Sequence, residues 1–274
     1  MGITILDAKV LSFEPVNGID FTELSDLAYD KRTSVLYGIS DRGYLYHMDL
    51  LIKQNRLSQL TLNHAFKLRS KKGKKFKKSK RDSEGLDLAD GGLVISFERK
   101  PRVSLFSLKG EEIEEYELSK KLRHIKNYQD KNDALEAVTL HPKYGIVTAP
   151  EIPLKKQDEA FHTLYAKKKK WRFKATGSIT ALETMEDGNI LVLERSFNKL
   201  TRQRTVVLTK VNIKKCKSKL CSSETLALFD SSKGWTLDNF EGLTRIKGNR
   251  YLMISDDNDS FLQKCILVLF EVNE

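Results

Sequence analysis

Residues 83–98 read Ser-Glu-Gly-Leu-Asp-Leu-Ala-Asp-Gly-Gly-Leu-Val-Ile-Ser-Phe-Glu, and their pattern returns four more times along the 274-residue chain. Each copy opens on a short signature: Leu24-Ser25-Asp26-Leu27, Ser83-Glu84-Gly85-Leu86, Leu135-Glu136-Ala137-Val138, Thr180-Ala181-Leu182-Glu183 and Phe240-Glu241-Gly242-Leu243. A gap containing Asp, Gly, Asn or Lys follows, then an apolar run closing on an acid: VLYGISD to Asp41, LVISFE to Glu98, GIVTAPE to Glu151, NILVLE to Glu194 and YLMISD to Asp256. From Ser25, Glu84, Glu136, Thr180 and Glu241 to the closing acid is 16, 14, 15, 14 and 15 residues. Short strands repeating at a period of roughly 50 residues predict an all-β fold, a single β-propeller. Such a ring turns scattered acids towards one axis.

Within the second repeat, four β-rich runs are separated by Asp-Gly-Gly, Lys-Pro-Arg and Lys-Gly-Glu. These separators are turn chemistry, with Gly for positive φ and Pro to preset a bend. The fifth repeat holds three such runs before the chain ends. The stretch Ile3–Pro15 alternates like the missing fourth. The expectation is therefore five four-stranded blades, the last completed by the N-terminal strand so that no sheet edge stays open. Six blades result if Leu57–Lys80 or Lys109–Lys131 holds a degenerate one.

With 40% hydrophobic and 31% charged residues, the chain reads as one globular domain over residues 1–274. The longest uninterrupted aliphatic or aromatic run, Ile266–Phe270, is too short to span a bilayer. Met1-Gly2 runs straight into the first strand without a visible leader, which a trimmed chain would share. The formal charge of +11 is local: residues 67–81 carry ten basic side chains and no acid, and without them it falls to +1. This segment, with Lys167–Lys170 and Arg172 around Trp171, reads either as a solvated extension or as a non-specific polyanion contact. Few aromatics interleave with the charge, so base stacking has little to work with.

Cys265 sits in an apolar run as a buried thiol. Cys216 and Cys221 bracket a Lys-rich turn and are close enough to pair across a hairpin, and a disulfide there favours an exported protein. No second Cys or His pair has zinc spacing, and the five histidines form no metal or hydrolase motif.

The remaining chemistry is acidic. Glu84, Glu136 and Glu241 stand at repeat starts; Asp41, Glu98, Glu151, Glu194 and Asp256 stand at second-strand ends. Arg42, Arg99 and Arg195 follow three of these, and Asp257 follows the fifth. Converging carboxylates suit a hard, oxygen-liganded cation such as calcium or magnesium. Neighbouring guanidiniums suit a phosphate or carboxylate. The same residues also serve as backbone caps and inter-blade ion pairs.

The residues resemble a known family. Leu24–Asp30 with Leu36–Gly43, Glu84-Gly85-Leu86 with Phe97-Glu98-Arg99, and Glu241-Gly242-Leu243 with Ser255–Asn258 look like repeats of the bacterial phytase-like (esterase-like activity of phytase) propeller domain. The resemblance runs from about residue 20 to 272. It implies a propeller, often exported, sometimes calcium-dependent, with phosphoesterase or esterase activity. Two positions depart from it: Thr180-Ala181 replaces Glu-Gly, and Ala149-Pro150-Glu151 replaces acid-Arg. Each interrupts the ring, so a complete multi-calcium cluster is not expected.

Two functional classes follow. One is a divalent-metal-dependent phosphoesterase or lactonase-like esterase, with Asp41, Glu98, Glu151, Glu194 and Asp256 holding the ion and Arg42, Arg99 and Arg195 steadying a small anionic or phosphorylated substrate. In the other, Glu84, Glu136, Glu241 and Asp257 join these residues in a non-catalytic platform for an anionic ligand or cell-envelope partner. A monomer in the periplasm or outside the cell is the expectation, with the cytoplasm as the alternative.

Overall fold

The computed structural model describes residues 2–233, 239–256 and 264–273. Twenty strands carry the fold, and no α-helix occurs among the described residues. β1 (Gly2–Leu11) is followed by β2 (Leu24–Asp30), β3 (Val35–Ser40), β4 (Tyr44–Lys53) and β5 (Arg56–Lys67). Next come β6 (Ser83–Ala89), β7 (Gly92–Phe97), β8 (Arg102–Phe106) and β9 (Glu112–Glu115). β10 (Leu135–His141), β11 (Gly145–Pro150), β12 (Phe161–Ala166) and β13 (Lys170–Lys174) precede β14 (Ser178–Thr184), β15 (Ile190–Phe197), β16 (Arg204–Lys217) and β17 (Leu220–Asp230). The chain then forms β18 (Asn239–Lys247), β19 (Arg250–Asp256) and β20 (Cys265–Asn273).

β2–β5 and β6–β9 are separate antiparallel meanders. β10–β13 and β14–β17 are two further meanders, merged into one eight-stranded sheet by a single parallel residue pair, Arg172 with Leu220. β1 lies against β20, giving the order β1-β20-β19-β18. Leu57–Lys67 belongs to β5, and the stretch 109–131 holds only β9 and a 3-10 turn at Ile125–Asn127.

Burial explains the strand chemistry. β7 is buried at every position, as its unbroken apolar sequence requires for a strand covered on both faces. β5, at a sheet edge, buries only Leu57, Leu62 and Ala65 and is otherwise more open. Between the first and last meanders, Leu27, Leu36, Tyr46 and Met48 meet Ile254, Leu267 and Leu269. Between the fourth and last, Leu191, Leu208 and Phe229 meet Tyr251, Met253 and Phe270. The first strands β2, β6, β10, β14 and β18 each pack on the next, and β18 returns to β2, the plan of a β-propeller.

A side-chain oxygen staples each of these neighbours. Asp26 accepts from the Leu86 amide at 2.7 Å, Asp87 from Leu140 at 2.5 Å, and Thr139 from Thr184 at 3.0 Å. Glu183 accepts from Arg245 at 3.0 Å and Thr244 from Tyr29 at 3.1 Å. Asp26 is the busiest, also taking the Leu27 and Leu243 amides at 2.8 and 2.9 Å.

Candidate functional site

Every first strand carries a register break at its signature residue. Leu24 pairs with Ser40 and Asp26 with Ile39, skipping Ser25; the same step skips Glu136, Thr180 and Glu241, and in β6 it skips Glu84-Gly85. A bulge leaves its extra residue unpaired and re-aims that side chain. Ser25, Glu84, Glu136 and Glu241 accordingly line one cavity. The bulge also explains the glycine. A Cβ on Gly85 would stand 2.6 Å from the Val138 nitrogen and 2.9 Å from the Ala137 carbonyl carbon. One on Gly242 would stand 2.9 Å from Asp26 Cα.

The second-strand ends supply the opposite half. Counting from the bulges, the residues after Ser40, Phe97, Pro150, Glu194 and Ser255 are equivalent. They are Asp41, Glu98, Glu151, Arg195 and Asp256, and all five line the cavity. The fourth repeat therefore presents its arginine where the others present an acid. Glu194 points away: it is fully buried and accepts from Thr176 and Gly177 amides at 2.8 and 3.3 Å and from Thr209 Oγ1 at 2.9 Å. Its placement in the ring by sequence spacing is corrected by one residue.

The cavity is about 200 Å³, and Glu23 and Asn132 complete its wall. Burial, then the neighbouring Asp82 and Glu151 carboxylates, push the Glu98 carboxyl up to about 8. Burial, then Glu23 and Asp82, push Asp41 up to about 7. Glu84 is raised well above the usual carboxylate range by burial, then by Glu98 and Glu241, and Glu136 by burial, then by Glu151 and Glu84. Glu151 and Glu241 are raised by burial against the pull of Arg195. For Arg195 the balance reverses: burial works against its charge, but Glu241, Glu136, Glu151 and Glu84 outweigh it and raise its pKa. Arg195 Nη1 contacts Glu241 Oε1 at 2.5 Å and also Asn239, while Nη2 stands 3.9 Å from Glu151.

Arg42 and Arg99 stand outside this wall. Arg42 pairs with Glu23, and Arg99 Nε lies 2.5 Å from Asp82 Oδ2, close in distance without hydrogen-bond alignment. Asp257 lies outside the described residues. Glu23 and Asp82 were not marked by the sequence, since each lies just before its repeat signature. Their signal is position: each stands one residue ahead of it.

Could the site hold a metal ion? Asp82, Glu84 and Glu98 offer oxygens within 4.8 Å of one another, as do Glu98, Glu136 and Glu151. The donors are all carboxylate oxygens, and Asp41 Oδ1 is buried without a hydrogen-bond partner. That set fits a hard cation such as calcium, which takes six to eight oxygens at about 2.3–2.6 Å.

Among solved structures, the WD40 domain of Neurospora crassa Pan2 overlays with a TM-score of 0.41 and 10% identity, covering 99% of this chain and 96% of that one. Comparison with curated proteins gives no match. The family described as phytase-like, esterase-like activity of phytase, matches residues 19–259, across the bulged signatures and the strand ends that build the cavity. By that match the chain belongs to the phytase-like family.

Proposed function

We propose that the chain is a divalent-metal-dependent hydrolase of phosphoesters or related esters, working at the acid-lined channel mouth. One observation carries this reading: eight carboxylates surround a cavity of about 200 Å³ in which Arg195 is the one lining cation among the described residues. So many acids in one buried space repel unless they are protonated or share a cation. Glu98, common to both oxygen clusters, would hold the ion with Glu136 and Glu151, or with Asp82 and Glu84. A bound calcium or similar ion would supply Lewis-acid polarisation of the scissile ester oxygen. Arg195 would turn from Glu241 to an anionic substrate oxygen. Asp41, outside both oxygen clusters and with its carboxyl near neutrality, would take a proton from the attacking water or give one to the leaving group.

The same reading takes the five meanders as five blades of one domain, with β1 closing the last. An exported monomer acting on a small anionic or phosphorylated substrate is the matching setting, supported by the Cys216–Cys221 disulfide.

The non-catalytic platform is favoured by a different observation, the Arg42–Glu23 and Arg99–Asp82 pairs, which occupy two arginines that a phosphate would need. Thermal unfolding in EDTA, then with calcium, magnesium or manganese restored, separates the two. A ligand that binds only the folded state raises the midpoint in step with its binding free energy. A rise of several degrees with one ion, plus turnover of a phosphoester or lactone under the same conditions, supports the hydrolase. A rise without turnover leaves a metal-bound platform, and no rise with any ion rejects the metal.

A further inference from the structure

The basic segment 67–81 is folded against the second meander. The Arg69 backbone makes isolated β-bridges with Lys75 and Glu111, the Ser70 carbonyl accepts a turn bond from the Gly73 amide at 2.7 Å, and Lys78–Lys80 forms a 3-10 turn. Phe76 anchors it, with its ring 6.2 Å from both Phe97 and Phe106. Ordering like charges costs free energy, so a chain that holds them together over an aromatic anchor has fixed a strong positive potential.

That potential lines a groove of about 910 Å³. Lys75, Lys77, Lys80, Arg123 and Lys126 line it, with Lys100 from the turn after β7, against only Glu112 and Glu115. Arg102 lines it as well. This side chain is 9% exposed, its guanidinium lies 3.6 Å from the centre of the Phe97 ring, and it donates to the Lys80 carbonyl at 2.6 Å. No carboxylate stands within ion-pair distance of it among the described residues. A guanidinium held by carbonyls and ring faces, with Glu112 and Glu115 acting on it only from beyond ion-pair distance, keeps its charge available to an incoming anion.

We propose that this groove binds a linear polyanion through a row of phosphate oxyanions, with Arg102 as the fixed contact and the surrounding lysines as mobile ones. The site is separate from the acidic channel and does not depend on its chemistry. Phosphates rather than bases are read, because the one lining Phe, Tyr or Trp among the described residues, Phe76, already packs against Arg102, Phe97 and Phe106. A concave groove fits a strand better than a flat lipid surface.

The probe is fluorescently labelled inorganic polyphosphate, followed by anisotropy against salt. The triple variant Lys75→Gln, Lys77→Gln, Lys80→Gln removes three exposed charges from the groove. Its control, Lys167→Gln, Lys168→Gln, Lys169→Gln, removes three exposed charges elsewhere. Thermal midpoints of both variants check folding. Affinity should fall by about tenfold or more in the groove variant and less than about twofold in the control, with a shallower salt slope only in the first. Single-stranded DNA competing as well as unlabelled polyphosphate would assign a nucleic-acid source for the phosphates; failure to compete would assign inorganic polyphosphate. Equal losses in both variants would overturn the site in favour of diffuse charge. Binding of vesicles rich in anionic lipid without binding of polyphosphate would overturn it too.

Discussion

Two sets of carboxylates stand on the inner strands, three residues apart on β6 at Glu84 and Asp87, and they meet opposite surroundings. Asp26 and Asp87 point between neighbouring strands and are surrounded by backbone donors, three amides on Asp26 and two on Asp87. Glu84 and Glu136, on the bulges, point into the cavity and meet mostly other acids. Burial raises Asp26 as well, but its amide bonds pull the other way; for Glu84 every further contribution raises it. The lesson is that donor supply, not depth, separates a structural acid from one free for chemistry. One set joins the strands and the other strains the channel.

The largest test of that contrast is Asp26→Ala. It strands the Leu27, Leu86 and Leu243 amides in the core at once. With each unsatisfied group costing about 1–3 kcal/mol, the loss should be on the order of 3–5 kcal/mol. Urea unfolding in EDTA measures it. Glu84→Gln in the same assay should instead hold or raise stability, because it removes one charge from a repelling group. If both variants lose the same amount, the distinction between the two sets collapses.

Next in size is Gly85→Ala. The added methyl meets Val138 and Ala137 backbone atoms of the neighbouring strand, which cannot swing aside as a side chain would. Overpacking of this kind costs about 1–3 kcal/mol, read as a lower urea midpoint. Gly91→Ala is its control for crowding: nothing lies within 4 Å of a Cβ there, so its cost comes from the positive φ alone. A Gly85→Ala protein no weaker than this control would show that the bulge can open.

Much of this architecture is legible in the chain. Unbroken apolar runs such as LVISF mark strands buried on both faces, and Asp-Gly-Gly marks the turn between β6 and β7. The acids at 84, 98, 136 and 241 stand out because charge is costly beside such runs. Register is harder to read. Glu194 and Arg195 are adjacent, and only the bulge at Thr180 decides which of them reaches the cavity. The staples hide for a related reason: Asp26, Asp87 and Glu183 look like ordinary strand-edge acids until a neighbouring strand brings its amides. The basic segment reads equally well as solvated extension or as binding surface, since Phe76 reveals its anchoring role only once Phe97 and Phe106 are in place.

The smallest effect sharpens the comparison through pH. Glu98 has an ordinary carboxyl value of 4.5 and rises to about 8 in the folded chain, so between those values the folded state binds the extra proton. Stability must therefore fall as pH rises across that window, the reverse of an acid whose folded-state pKa is lowered. In EDTA the thermal midpoint should be higher near pH 5 than near pH 8. Glu98→Gln should flatten that slope only in part, because Asp41, Glu136 and Glu151 share the titration and redistribute the remaining protons. A change of about 1–3 °C at pH 8 is the expected scale. Calcium should reverse the trend if the cavity binds it, since protons and cation compete for the same oxygens and binding strengthens as the acids ionise. A midpoint that rises with pH in EDTA would mean that the charged forms of the rim acids are already stabilised in the folded chain, and the repulsion argued for the channel would fail.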